Sequence, residues 1–143
     1  EGWRCGRTWY RWIGTGEANA CALERIMIIK KACMKRYCLT VDLKNDPAVI
    51  EAYKEIHKNV WPDILERIKA DGITGMDIYN TGNRLFMIME VKDDFSFERK
   101  AASDAADPRV QEWENFMWTF QQELPWAKPG EKWVLMDKIF ELT

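Results

Sequence analysis

The sequence predicts an α+β domain in which a four-stranded antiparallel sheet carries helices on one face. Three observations lead there. Residues 35–43 alternate polar with apolar side chains and 73–79 and 84–91 read as two strands about a turn, two Asp-Pro signals each open an amphipathic helical series, and these segments follow one another in the order β-α-β-β-α-α-β.

Each element follows from its residues. Tyr37, Leu39, Val41 and Leu43 alternate with Cys38, Thr40 and Asp42, the period-two pattern of a strand over about 35–43. Asn45-Asp46-Pro47 then offers an N-cap followed by proline at the first helical position. Val49, Ile50, Tyr53, Ile56, Val60, Ile64 and Ile68 recur at helical spacing over 47–70. Pro62 falls inside that helix and removes a donor, so the helix must kink or restart near Asn59 to Trp61. Asp71-Gly72 closes it. Residues 73–79 and 84–91 read as a hairpin around Asn80-Thr81-Gly82-Asn83, with Met76 and Ile78 on one side of its first strand and Gly75, Asp77 and Tyr79 on the other. A short helix is expected over 94–104. Asp107-Pro108 then repeats the cap signal before Val110, Trp113, Phe116, Met117, Phe120 and Leu124, a second long helix that Pro125 ends. After Lys128-Pro129-Gly130 comes a final strand, Lys132 to Leu142.

This is the split βαβ order, with helices on one sheet face. The other face lies bare in a single copy, and stacking two sheets would bury it, so a homodimer is expected.

Composition narrows the partners. The 143 residues suit one domain, and 47% hydrophobic with 31% charged residues is the balance of a packed globular chain. No apolar run is long enough to span a membrane, and the N-terminal segment lacks the core of a secretory signal. The formal charge is −2 and the basic residues are scattered, which argues against nucleic-acid binding. Residues 1–33 stand apart: they hold three of the four cysteines, three of the eight tryptophans and half of the eight glycines, with six basic and three acidic side chains. They read as an N-terminal extension of uncertain origin, with at most a short helix near Ala20 to Ile28, and 34–143 as the functional domain. That domain keeps one cysteine, Cys38, and reads as reduced and cytoplasmic.

The one histidine, His57, has Tyr53 four residues before it and Trp61 four after it, so the three share one side of the helix up to the proline break. Imidazole titrates near neutrality and is the usual proton donor or acceptor of a cleft. The alternative reading makes His57 a helix-surface residue, with Tyr53 and Trp61 at the core edge. Glu114, beside Trp113 on the second long helix, is either an exposed carboxylate or a base bordering an apolar stripe. Metal-ligand spacings, phosphate loops and a nucleophile elbow are absent from the sequence, which leaves cofactor-free chemistry or simple binding.

Residues 34–143 resemble the L-rhamnose mutarotase family. The resemblance rests on the opening strand Met34-Lys35-Arg36-Tyr37, the segment Tyr53 to Pro62 with its Tyr-x-x-x-His-x-x-x-Trp-Pro spacing, the hairpin Asp77-Ile78-Tyr79 through Asn83-Arg84-Leu85-Phe86, and Trp113-Glu114-Asn115-Phe116-Met117. It implies a ferredoxin-like, dimeric α+β barrel that interconverts the α and β anomers of a free 6-deoxy-hexose, L-rhamnose or L-fucose, with no cofactor or metal. It further implies that His57 is the proton donor and that Tyr53 contacts the sugar. Three positions depart from the family pattern. Met76 stands where a strand tyrosine contacts the sugar, only Trp113 remains of a tandem tryptophan pair whose second place is Glu114, and Phe97 replaces a tryptophan.

The expected site is therefore His57 as acid and Glu114 as base. Tyr53, Met76, Trp113 and Glu114 face the monosaccharide, with Trp113 offering an apolar wall. A sugar-binding module without turnover, and a cofactor-free oxygenase-like protein of the same architecture, are the competing readings.

Overall fold

The computed structural model describes residues 34–143, and the short helix expected near Ala20 to Ile28 lies outside them. The described chain runs β1 (Lys35–Leu43), α1 (Pro47–Ile56), a 3₁₀ turn (His57–Asn59), α2 (Pro62–Ala70), β2 (Ile73–Thr81), β3 (Arg84–Val91), α3 (Phe97–Ala106), α4 (Pro108–Trp118), β4 (Gln121–Gln122) and β5 (Val134–Leu135). The sheet is antiparallel throughout, in the order β2-β3-β1-β4, and β5 shares the β4 edge of β1.

Both Asp-Pro signals cap helices. The Asp46 carboxylate accepts the Ala48 N–H at 2.9 Å, the Asp107 carboxylate accepts the Arg109 N–H at 2.9 Å, and a proline occupies the first turn each time. The helix expected over 47–70 is two helices. Val60 and Trp61 are extended, with ψ of 140° and 131°, because Pro62 excludes the helical conformation from the residue before it. The third helix begins at Phe97, later than expected, because Ser96 is its cap.

Alternation sorts the sheet into two faces. Leu39, Val41 and Leu43 of β1 and Leu85, Met87, Met89 and Val91 of β3 are buried toward the helices, and Met76 and Ile78 of β2 join them. A bulge between Ile73 and Gly75 shifts the register by one residue, which turns Ile73 inward against Val91. The hairpin closes on Gly82-Asn83, tighter than the four-residue turn expected, with Gly82 at φ 53° and Thr81 already paired to Arg84.

The core divides into two clusters. Leu39, Ile73, Met87, Met89 and Val91 form one; Val41, Leu43, Tyr53, Leu85 and Met117 form the other. Ile78 and Trp133 touch both. Burying a side chain such as Leu43 or Leu85 is worth about 1.5–3 kcal/mol, so β1 and β3 anchor the fold.

Two expectations are corrected. The last long helix ends at Trp118, well before Pro125. The Thr119 and Phe120 N–H groups bond back to the Phe116 and Met117 carbonyls, and the chain then straightens to pair Gln121 and Gln122 with Leu43 and Asp42. The open edge of β1 outcompetes the helix, while Leu124 stays apolar because it is buried in the loop beyond. The final strand pairs over Val134 and Leu135 only, and its last ladder bond runs from the Met136 N–H to the Cys38 carbonyl. Beyond it, Met136 to Thr143 has no strand neighbour among the described residues, and Ile139, Phe140 and Leu142 are 96%, 75% and 87% exposed. No helix among the described residues is long and apolar enough to cross a membrane.

Candidate active site

His57 stands where α1 ends. Its Nδ1 lies 2.9 Å from the carbonyl oxygen of Tyr53, one turn earlier, and that carbonyl also accepts the His57 backbone N–H. An unprotonated carbonyl oxygen can only accept, so Nδ1 carries the proton, and in the neutral ring Nε2 carries the lone pair. Among the described residues nothing hydrogen-bonds to Nε2. Burial lowers the His57 pKa from its ordinary value, and the Tyr53 carbonyl, which favours the charged ring, acts in the opposite sense.

Tyr53 packs beneath the imidazole, with ring centroids 4.2 Å apart. It is 3% exposed, and its hydroxyl accepts a hydrogen bond from Nε2 of Gln121 at 3.3 Å. Burial pushes its phenol pKa up to about 12, against the pull of that hydrogen bond.

An aromatic wall rises beside them. Trp113 of α4 presents an edge to His57 at 6.0 Å and to Trp61 at 5.0 Å. Trp61 lies parallel to Phe116, at 6.1 Å and 6°. The Arg109 guanidinium covers the Trp61 ring at 3.9 Å while bonding to Asp63 and Glu112, each at 2.7 Å. The proline break places Trp61 in this wall, because it lets the chain turn between α1 and α2.

The fold thus brings His57, Tyr53, Trp61 and Trp113 together. It does not bring Glu114 into hydrogen-bond contact with His57. The Glu114 carboxylate lies 3.6 Å from the Lys132 ammonium, with its side chain 37% exposed. Met76 faces the helices, as alternation predicts, but packs against the cluster of Leu39, Met87 and Met89. Phe97 sits with Tyr37 and Phe95, at 4.9 and 5.1 Å. Gln121 and Trp133 were not singled out in the sequence. Gln121 was hidden inside the helical pattern that runs on to Leu124, whereas alternation with the sheet-edge residue Leu135 could have marked Trp133 as inward-facing. Among the described residues no group of three His, Cys, Asp or Glu side chains is placed to hold a metal ion.

Comparison with known proteins follows the same lines. A family model described as L-rhamnose mutarotase matches residues 36–142. An L-fucose mutarotase of Xanthomonas campestris pv. campestris is 43% identical over 112 residues, covering 77% of this chain and 90% of the relative. A UPF0734 protein of Dictyostelium discoideum is 37% identical over 115 residues, covering 76% of this chain and 90% of that protein. The crystal structure of an L-rhamnose mutarotase from Formosa agariphila superposes with a TM-score of 0.57 at 22% identity, covering 76% of this chain and 99% of that one, and so shares the fold. By the extent of the model match and the identity to curated relatives, the chain belongs to the L-rhamnose mutarotase family.

Proposed function

We propose that this protein interconverts the α and β anomers of a free 6-deoxy-hexose without a cofactor, with L-fucose preferred over L-rhamnose. One observation carries the reading: a half-buried imidazole whose Nδ1 is committed to the Tyr53 carbonyl, leaving Nε2 free beside the wall of Trp113 and Trp61. The sugar preference is supported by the 43% relative named for L-fucose.

The chemistry needs one proton moved between two oxygens on the anomeric carbon. Nε2 takes the proton of the anomeric hydroxyl, whose electrons form the carbonyl as the bond to the ring oxygen breaks. The imidazolium then protonates the ring oxygen. After rotation about the bond to the carbonyl carbon, the same steps in reverse close the ring on the other face. His57 was expected from the sequence as the donor. Its lowered pKa makes the neutral ring the resting form, so it accepts first and donates second. Tyr53 directs its hydroxyl to the sugar, and Trp113 covers an apolar face of it. Glu114, held by Lys132 and out of contact with His57, serves as a binding carboxylate for sugar hydroxyls in place of the base role expected for it.

The working unit is a homodimer. The sheet face away from the helices carries Cys38, Phe86, Ile88 and Tyr79 between the ion pairs Arg36–Glu90 and Arg84–Asp42. The exposed arm with Ile139, Phe140 and Leu142 leaves the sheet at its β1 edge. A second copy covers both. The free thiol of Cys38 suits a reducing, cytoplasmic setting.

The test is saturation transfer between the anomeric proton resonances of L-fucose, L-rhamnose and other free sugars. Enhanced exchange with L-fucose fastest is expected. No enhancement for any sugar, with binding retained, would make the protein a sugar-binding module.

A further inference from the structure

We infer that Gln121 is a positioning residue that fixes the direction of the Tyr53 hydroxyl, making Tyr53 a hydrogen-bond donor to the substrate. The inference rests on the anomerase reading above and deepens it.

Gln121 is 4% exposed and lies on β4, against the edge of β1. A buried primary amide is costly unless hydrogen-bonded, and a leucine would fill the space without that cost. The Nε2 of Gln121 donates to the Tyr53 hydroxyl oxygen at 3.3 Å. A phenol that accepts at its oxygen keeps its own proton for another acceptor. Among the described residues nothing accepts that proton. The carbonyl of the same tyrosine holds Nδ1 of His57 at 2.9 Å, and the two rings lie 4.2 Å apart.

Gln121, Tyr53 and His57 therefore form a chain of orientations. The amide turns the phenol, and the residue carrying the phenol turns the imidazole. The outcome is a preset pair of opposite polarity, a donor on Tyr53 and an acceptor at Nε2 of His57. A hemiacetal presents matching groups: an oxygen that must be held and a hydroxyl that must lose its proton.

Gln121→Glu tests this, because it keeps the shape and replaces the donor with an acceptor to which Tyr53 would donate. Anomer exchange should fall about tenfold or more near pH 8. It should recover relative to wild type toward about pH 6, where burial keeps the new carboxyl protonated and able to donate. Gln121→Leu should lose rate without that recovery. A Gln121→Glu deficit that is flat with pH, or no deficit at all, overturns the inference.

A second readout needs no sugar. With ¹³Cζ-labelled tyrosine, assigned through Tyr53→Phe, the Tyr53 resonance of Gln121→Glu should shift over the same pH range while the wild-type one stays. No shift overturns the inference even if the enzyme is active. Wild type without anomer exchange overturns the functional reading alone.

Discussion

Nδ1 of His57 is held 2.9 Å from the backbone carbonyl of Tyr53, so the ring is oriented by a group that no side-chain substitution removes. The anchor leaves Nε2 without a hydrogen-bond partner among the described residues, and the proposed function makes it the working atom. His57→Ala should cut anomer exchange by about 10²–10⁴-fold, the usual worth of a positioned proton-transfer group. NMR exchange rates on a protein of unchanged circular dichroism check this, and a loss below about tenfold would move the chemistry elsewhere.

The pH profile follows from the direction of the His57 shift. Burial lowers its pKa, so the neutral, proton-accepting ring persists below the ordinary histidine range. Activity should be level above about pH 6.5 and fall only at lower pH, where the ring protonates. Stability runs with the same sign. As pH falls below about 6.5 the unfolded chain takes up a proton that the folded one refuses, so His57 reduces stability until the folded pKa is also passed. Urea titrations of wild type and His57→Asn between pH 5 and 8, roughly the histidine window, should diverge at the acid end.

Glu114→Gln separates binding from proton transfer. The carboxylate pairs with Lys132 and does not touch His57, so the substitution should raise KM several-fold and leave kcat within about threefold. A kcat loss beyond about 10²-fold would return Glu114 to the role of base.

The sheet face away from the helices, where Phe86 and Ile88 are half-buried and Tyr79 is exposed, predicts the assembly state. Phe86→Asp places a charge beside Tyr79, whose ring is 6.4 Å away, and should convert a dimer to a monomer in sedimentation velocity. Phe140→Asp on the arm should weaken the dimer in the same direction. A wild-type monomer at micromolar concentration, or a Phe86→Asp dimer, would reverse the assignment of this face.

What was legible in the sequence was local. Asp46-Pro47 and Asp107-Pro108 mark their helices because a cap and a pre-set φ act within one turn, and Pro62 marks its break for the same reason. The alternation of β1 names Leu39, Val41 and Leu43 as buried, but not Thr40 and Asp42, which are buried beside them. What escaped depends on partners distant along the chain. Gln121 and Gln122 leave a helical pattern because the edge of β1, nearly eighty residues earlier, is open to them. At the site, Tyr53, His57 and Trp61 were visible as one helical face with Trp113 beside them. The bond from Gln121, the cover of Arg109 over Trp61 and the pairing of Glu114 with Lys132 join segments whose meeting no spacing announces.

The extended joint at Val60 and Trp61 sets how far the indole stands from the imidazole along the chain. His57 follows the end of α1 while Trp61 is fixed to the start of α2 by Pro62. A residue gained or lost in that joint would re-space imidazole and indole without disturbing either helix. The spacing of His57 and Trp61 is therefore set by a short linker, separately from the helices and the core that carry them.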